Sequence, residues 1–250
     1  MYPKLFGVID SYSVMLIVAI IAGLGVFEYY FRKVLKEPSG KIFYVEMSLL
    51  ISIMLGLIGA YLTQNLYDFI ENPNDYHWSW SLTFYGGFIF GVGTFVLLYF
   101  FWIRKHYPDA LEKIFWIFPS SITISHGLGR IGCFLAGCCY GVPTDAWYGI
   151  KFETTAVKVI PTNLFEAIFL FILFAVLFVI AIKKHSPYGL SIYLIVYGVW
   201  RFLIEYLRGD HRGSFIPGLT PSQAWSVLLV ALGIAYLFLR LFVFKKKEAA

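Results

Sequence analysis

The sequence predicts an all-α integral membrane protein with seven transmembrane helices, its N-terminus outside and its C-terminus in the cytoplasm. Hydrophobic residues make up 59% of the 250 residues and charged residues only 14%, whereas soluble domains average about 45–50% and about 25%. The mean hydropathy is +0.73. The apolar runs are long and do not alternate, which excludes membrane-spanning β-strands. The net charge of +5 comes from loop lysines and arginines, so we predict no nucleic-acid binding.

Seven apolar runs are long enough to cross, or nearly cross, the roughly 30 Å hydrocarbon core of a bilayer. They cover residues 14–30, 43–61, 82–103, 115–136, 164–182, 190–207 and 224–244. The N-terminus lacks a basic region followed by a small-residue cleavage site, so we expect the first run to be kept as a helix. Because the connecting loops are short and no internal repeat is visible, we predict a single integral-membrane domain over residues 1–250.

Lysines and arginines are distributed unequally between the two ends of these predicted helices. Thirteen lie in the first, third and fifth loops and the C-terminal tail, and five lie in the other loops and the N-terminus. Cytoplasmic loops carry the excess of positive charge, so this bias sets the predicted orientation. It also places the polar ends of several helices together near the outer leaflet. An interfacial belt of aromatic residues explains the tryptophans there but not the arginines inside the spans.

Residues 125–141, SHGLGRIGCFLAGCCYG, hold Arg130, His126 and all three cysteines of the chain. A charged side chain at bilayer depth costs roughly 2.5–3.5 kcal/mol on insertion scales, so Arg130 requires a partner or a function. The alternative is a helix-packing segment whose arginine is satisfied by backbone carbonyls. His126 lies four residues before Arg130 on the same helix face. It is either a hydrogen-bonded packing residue or a base for proton transfer.

A second charged group lies near the end of the sixth run. Arg201, Glu205 and Arg208 follow a spacing of i, i+4 and i+7, which puts all three on one face of a helix. Glu205 either bridges the two arginines structurally or orients them while they bind phosphate, since guanidinium groups match phosphate oxygens bidentately. Arg130, on a separate helix, would complete such a site. A lipid phosphodiester is the anion that we expect at this depth.

The three cysteines are Cys133, Cys138 and Cys139. Their spacing from His126 is not a standard structural-zinc pattern, and adjacent cysteines rarely ligate one ion together, so we predict no metal and no organic cofactor. Small-residue packing or a reactive thiol near an arginine are the remaining roles. Cys133 and Cys138 are roughly 140° apart on a regular helix. Both therefore face one pocket only if the helix ends or bends near Gly137, and Cys139 is then the packing residue.

These residues resemble the prolipoprotein diacylglyceryl transferase family. The central motif of that family, roughly GRxGNFxNxExxG, is similar to residues 129–141. Its R-F-x-x-E-x-x-R segment matches residues 201–208, and its P-[ST]-Q-L-Y-E segment is close to residues 161–166. Tyr12 and the Ser222-Gln223 pair also have counterparts, so the resemblance spans nearly the whole chain.

The resemblance implies transfer of a diacylglyceryl group from phosphatidylglycerol, an anionic phospholipid, to the lipobox cysteine of a prolipoprotein, with release of glycerol phosphate. It also implies the cytoplasmic (inner) membrane of a bacterium. The chain departs from the family where the thiol chemistry would occur. The H-G-G motif is residues 85–87, Tyr-Gly-Gly, and the first asparagine and the glutamate of the central motif are Cys133 and Cys138. The acceptor is therefore either a lipoprotein cysteine or another nucleophile at the outer face.

The residues and the resemblance together predict a membrane-embedded transferase. We predict catalytic roles, with His126 or Tyr85 as the base and the arginines stabilising the phosphate, for His126, Tyr85, Arg130 and Arg208. We predict substrate-binding roles for Tyr12, Gly86, Gly87, Cys133, Cys138, Glu166, Arg201 and Glu205. Two other classes stay open: a non-catalytic phospholipid-binding or lipid-transport protein, and a thiol-redox or metal-linked membrane enzyme that uses the adjacent cysteines.

Overall fold

The computed structural model describes residues 4–5, 9–79, 81, 83–209 and 218–244. Almost all regular structure in these residues is helical, which confirms the all-α class. The helices of 15 residues or more are α1 (Ser11–Tyr29), α2 (Ser39–Glu71), α3 (Phe84–Leu98), α4 (Ala110–Ala136), α5 (Thr162–Lys184), α6 (Gly189–Ile204) and α7 (Pro221–Phe238). The short elements are an antiparallel pair of strands, β1 (Lys4–Leu5) and β2 (Ile9–Asp10), and helical turns at Tyr30–Val34, Pro73–Asp75, Tyr99–Ile103, Arg104–His106, Glu205–Leu207 and Leu239–Phe244.

Six segments of the described chain are long and apolar enough to cross a membrane, which supports an integral membrane protein. They are Ser11–Val34, Ser39–Glu71, Gly86–His106, Thr162–Lys184, Gly189–Leu207 and Pro221–Phe242. The helix α4 is absent from this set because its serines, histidine and arginine lower its hydropathy. The seventh span that we predict on α4, and with it the orientation of the two termini, stay predictions.

Side chains that precede helices cap two of these elements. Asp10 Oδ2 accepts a hydrogen bond from the Ser13 backbone at 2.8 Å and so caps α1. Thr220 and Gln223 form a reciprocal capping box at the start of α7, where each side chain bonds the backbone of the other. Caps of this kind typically contribute about 1 kcal/mol. The second cap also fixes the position of the Thr220 hydroxyl beside Glu205.

The described residues divide into two compact units, of which the first is Met1–Tyr30 with Glu112–Ala250. Its core lies between α5 and α6 and is formed by Leu170, Leu173, Leu177, Tyr193 and Tyr197. Helices α6 and α7 approach closely at Gly198, where an added Cβ would lie 2.8 Å from Val230 Cγ2 and 3.1 Å from the Ser226 carbonyl oxygen. Small residues allow this approach, as is common between membrane helices.

The second unit is Phe31–Leu111 and contains α2 and α3. These two helices pack through small residues, with Gly86 against Gly59 and Thr63, and Gly87 near the carbonyl oxygen of Gly56. The buried hydroxyls of α2 bond to backbone oxygens one turn earlier in the same helix, as Ser52 does at 2.6 Å. That residues 1–250 form a single integral-membrane domain stays a prediction.

Candidate active site

The polar face of α4 directs its two basic residues towards one carboxylate of α5. Arg130 Nε lies 3.1 Å from Glu166 Oε2, and His126 Nε2 lies 3.9 Å from Glu166 Oε1. Glu166 is only 1% exposed. A charge buried to this extent requires a compensating partner. The shared face of His126 and Arg130 is therefore confirmed, and the partner that Arg130 requires is Glu166.

Helix α6 adds Tyr197 to this group. The Tyr197 hydroxyl donates to Glu166 Oε1 at 2.9 Å, and its ring meets the His126 ring edge-on with 5.0 Å between centroids. We call His126, Arg130, Glu166 and Tyr197 the Glu166 cluster. One carboxylate thus joins α4, α5 and α6. Arg130 Nε is buried and makes no hydrogen bond to any described residue, so its pairing with Glu166 is a contact between charges.

The second ion pair lies at the junction of α6 and α7. Arg201 Nη2 lies 2.8 Å from Glu205 Oε2 and donates to Ser222 Oγ at 2.9 Å. The hydroxyl of Thr220 donates to Glu205 Oε1 at 3.0 Å. We call Arg201, Glu205, Thr220 and Ser222 the Arg201 cluster. Arg201 Nη1 is buried and makes no hydrogen bond to any described residue, which leaves one guanidinium donor for a ligand.

Arg208 does not continue the helix face of Arg201 and Glu205, so the predicted stripe of three residues is wrong. Helix α6 ends at Ile204, and the next three residues tighten into a 3₁₀ turn. Arg208 follows in an extended conformation, with φ −84° and ψ 143°, and pairs with Gly141 in an antiparallel bridge. The counting of 3.6 residues per turn fails here because a 3₁₀ turn has about 3.0. The Arg208 guanidinium lies close enough to the Cys139 thiol to lower the pKa of that thiol.

The turn that ends α4 explains why Cys133 and Cys138 lie together. The Cys138 N–H donates to the Cys133 carbonyl oxygen at 3.1 Å, and the Gly137 N–H donates to that of Phe134 at 3.2 Å. With Gly137 at φ +71°, this is a Schellman motif, which brings the side chains of its first and last residues into contact. Helix α4 therefore ends near Gly137, which is the condition that we set for Cys133 and Cys138 to lie close together.

The neighbouring cysteine joins them because of an unusual backbone conformation. Cys139 has φ +61°, a left-handed conformation that is uncommon for residues other than glycine. Thr162 Oγ1 donates to the Cys139 carbonyl oxygen at 3.0 Å, and Asn163 Nδ2 donates to that of Cys138 at 2.8 Å. The three sulfur atoms all lie within 4.8 Å of one another. Hydrogen bonds from Cys133 and Cys138, together with Arg208, lower the pKa of the Cys139 thiol from its usual value.

A cavity of about 630 Å³ opens beside this turn. Its lining includes Cys138, Cys139, Tyr140, Thr154, Val157 and Gly209. Cys133 is buried and does not line the cavity. Cys138 and Cys139 therefore reach this cavity. The roles in substrate binding that we predict for Cys133 and Cys138 stay predictions.

The profile of the family described as prolipoprotein diacylglyceryl transferase matches residues 4–239 of the chain. The chain belongs to the prolipoprotein diacylglyceryl transferase family. Three curated relatives are named phosphatidylglycerol–prolipoprotein diacylglyceryl transferase, the second with the suffix 2. That of Clostridium tetani is 32% identical over 92% of this chain and 93% of its own length. That of Clostridium perfringens is 38% identical over 52% of each chain, and that of Francisella tularensis subsp. mediasiatica is 31% identical over 82% and 76%.

The other residues that we predicted in this diacylglyceryl transferase family member belong to different parts of the chain. Tyr12 lies against α4, because an added Cβ on Gly132 would be 3.3 Å from its ring. Gly86 and Gly87 contact α2 within the second unit, and their role in substrate binding stays a prediction. The side chain of Tyr85 lies outside the described residues, so its role as a base also stays a prediction.

Sequence reasoning did not identify Tyr197 or Thr220 as members of the two clusters. Tyr197 lies one helical turn before Arg201, a spacing that puts both on one face of α6. Thr220 precedes Pro221 and is followed three residues later by Gln223, which is the signature of a capping box. Both signals were present in the sequence, but neither indicates which carboxylate the hydroxyl meets.

Proposed function

We propose that this chain transfers the diacylglyceryl group of phosphatidylglycerol to a thiol of a prolipoprotein, the substrates named for its relatives. One observation carries the proposal. Arg130 and Arg201 lie against buried carboxylates, and Arg201 Nη1 is buried without a hydrogen-bond partner in the described residues. Phosphate oxygens match such nitrogens. A phospholipid is the phosphate carrier that reaches this site directly from a bilayer.

The arginines act on the phosphate as it becomes the leaving group. Negative charge increases on the phosphate oxygen as the carbon–oxygen bond breaks, and fixed cations stabilise that charge without rearranging. Glu166 and Glu205 hold Arg130 and Arg201 in place, and each carboxylate contacts one nitrogen of its guanidinium. Arg208 supplies a third cation beside the cavity. Removing one such donor from comparable sites reduces kcat by about 10²–10³-fold.

His126 is the base in this proposal. The acceptor sulfur attacks the glyceryl carbon that carries the phosphate, and the carbon–oxygen bond breaks with its electron pair on the phosphate oxygen. The thiol proton passes to His126, so the products are a thioether and glycerol phosphate. Glu166, 3.9 Å from His126 Nε2, compensates the positive charge that His126 gains. A positioned base of this kind contributes about 10²–10⁴-fold.

We place this chemistry at the outer side of the cytoplasmic membrane of a bacterium, with seven helices spanning the bilayer. The bias of lysine and arginine supports this orientation, and the source organisms of the relatives support a bacterial membrane. In this arrangement α4 is the seventh span, and its charged residues face α5 rather than lipid. A reporter fused after Ala250 tests the orientation, because it should be active only when it functions in the cytoplasm.

The decisive experiment measures glycerol phosphate release from phosphatidylglycerol by the purified protein, with and without a peptide that contains one lipobox cysteine. Release that depends on the peptide, with formation of a lipidated thioether by mass spectrometry, is the expected result. His126→Ala should reduce the rate about 100-fold or more. His77→Ala is the matched control, since His77 is exposed and lies in the second unit.

Two results would redirect the proposal. Binding of phosphatidylglycerol without turnover would indicate a lipid-binding or lipid-transport protein. Release of glycerol phosphate with hydroxyl or small-molecule thiol acceptors, but not with the peptide, would indicate a transferase that uses another nucleophile.

A further inference from the structure

The structure brings three thiols together at the end of α4, and a packing role does not require them to point at one another. The Sγ atoms of Cys133, Cys138 and Cys139 all lie within 4.8 Å. We propose that these three cysteines bind one thiophilic cation of the zinc class, whose open fourth position takes the acceptor thiol. The cation site stands on this geometry alone, and the acceptor as fourth ligand rests on the proposed transferase function.

The distances fit a three-sulfur site. Zinc–sulfur bonds are about 2.3 Å long, so two thiolates on one tetrahedral zinc lie about 3.8 Å apart. Sulfur atoms within 4.8 Å therefore reach this geometry by side-chain rotations that move each pair together by about 1 Å or less. Sequence spacing argued against a metal because neighbouring cysteines normally diverge. The Schellman turn and the left-handed Cys139 remove that objection.

The backbone around the three cysteines is held independently of any ligand. Thr162 and Asn163, at the first turn of α5, bond the carbonyl oxygens of Cys139 and Cys138. Thr154 Oγ1 donates to the Gly137 carbonyl oxygen at 2.9 Å. All three carbonyls of this turn are thus bonded by side chains from two other segments. Because the turn is already ordered without a ligand, the chain loses little conformational entropy when a cation binds there.

The charge balance also favours a cation. Three thiolates and one divalent cation carry a net charge of −1, and the positive charges of Arg208 and Arg130 both act on this group. These arginines compensate the remaining negative charge. Thiolates are soft ligands that select zinc and related ions over magnesium or calcium.

The cavity provides the fourth position. Catalytic zinc sites keep three protein ligands and one open position, whereas structural sites are closed by four. Cys138 and Cys139 line the cavity of about 630 Å³, while Cys133 closes the buried side. Cys133, Cys138 and Cys139 would hold the cation, which would favour the thiolate form of an acceptor thiol in this cavity. The thiol proton would reach His126 through solvent, because His126 lies seven residues, about 10 Å of helix, before Cys133. The carbon–sulfur bond would then form and the carbon–oxygen bond would break as in the proposed transfer, with the electron pair left on the phosphate oxygen.

The test loads purified full-length protein in lipid nanodiscs with Co²⁺, and separately with Zn²⁺, under reducing conditions. We expect one ion per chain by elemental analysis after dialysis, with thiolate-to-cobalt absorption. The substitutions Cys133→Ser, Cys138→Ser and Cys139→Ser should each reduce occupancy at least tenfold. His77→Ala should not, although His77 lies 3.4 Å from Asp75 at the surface and offers an adventitious site. Addition of a single-cysteine peptide should shift the cobalt spectrum.

A second measurement does not depend on folded variants. Cys138 and Cys139, which line the cavity, should react with an alkylating reagent in the unaltered protein, and one equivalent of Zn²⁺ should protect both. Fewer than three free thiols when the non-reduced protein is denatured would indicate a disulfide and overturn the site, as would metal retained when all three are serine. Metal binding without glycerol phosphate release leaves the cation site standing and overturns the transferase. Full activity of metal-free protein would overturn the acceptor thiol as the fourth ligand and leave the transferase standing.

Discussion

Two buried carboxylates, Glu166 and Glu205, hold the two arginines of the site, and they do so in different ways. Glu166 is 1% exposed and Glu205 is 7% exposed. Glu166 pairs with Arg130 from another helix and accepts a hydrogen bond from Tyr197 of a third. Glu205 pairs with Arg201 one turn earlier in the same segment. One pair is therefore made by tertiary packing and the other by local helix geometry.

This difference assigns different tasks to the two arginines. Arg130 shares its carboxylate with His126 and Tyr197, so in the proposed mechanism one carboxylate serves both the base and a phosphate-binding arginine. Arg201 divides one terminal amino group between Glu205 and Ser222 and keeps the other without a partner in the described residues. We infer that loss of Glu166 harms the fold most, while changes in the Arg201 cluster mainly affect the lipid.

The largest effect should come from Glu166→Ala. It leaves Arg130 as an uncompensated buried charge, which costs about 3–5 kcal/mol of unfolding free energy. Glu205→Ala should cost less, because Arg201 keeps its bond to Ser222. Denaturant unfolding in detergent micelles compares the two variants. If both lose the same stability, the distinction between the clusters is wrong. The double substitution Glu166→Ala with Arg130→Ala should recover part of the loss.

The next largest effect concerns Arg208, which lies in extended backbone after the end of α6. Arg208→Ala should reduce the rate of transfer roughly ten- to a hundredfold, the equivalent of about 1.5–3 kcal/mol for a charged hydrogen bond. Arg240→Ala is the control, since Arg240 lies near the other end of α7 and 3.8 Å from Glu112. Initial rates at matched expression measure both. Equal losses of transfer rate in the two variants would show that Arg208 has no specific role in the reaction.

A smaller effect is expected for Tyr197→Phe. The change removes one hydrogen bond to Glu166 and keeps the ring against His126, so we expect a loss of about 1.5 kcal/mol, the lower end for bonds to charged groups. The midpoint temperature of thermal unfolding and the rate of transfer should both fall. Tyr193→Phe is the comparison, because its ring stacks on that of Tyr197 at 5.6 Å while its hydroxyl has no hydrogen-bond partner among the described residues. A larger loss for Tyr193→Phe would contradict the role of the Tyr197 hydroxyl.

The smallest effect should be that of Ser222→Ala. Arg201 keeps Glu205 after this change, so only one bond of about 0.5–1.5 kcal/mol is lost, which raises the KM for phosphatidylglycerol about two- to tenfold. The value of kcat should change little. Ser226→Ala serves as the control because, among the described residues, the Ser226 hydroxyl bonds only the Ser222 carbonyl oxygen one turn earlier. A change in kcat with constant KM would place Ser222 in the chemical step instead.

The sequence by itself determined the helical class, the site-bearing stretch and the contacts within one or two turns of a helix. His126 with Arg130, and Arg201 with Glu205, follow from a period of 3.6 residues, and the end of α4 at Gly137 follows from the freedom of glycine at positive φ. These features depend only on local backbone geometry, so residue spacing predicts them.

Only the tertiary structure decided which distant groups meet. The pairing of Arg130 with Glu166, the bond from Thr220 to Glu205 and the extended Arg208 beside Cys139 join segments that are far apart in the chain. Such contacts depend on how the helices pack and on where each helix ends. Several groups of similar chemistry could pair with each charged side chain. The spacing of residues along the chain does not show which group pairs with it, because the pairing is decided by which helix faces are buried against each other.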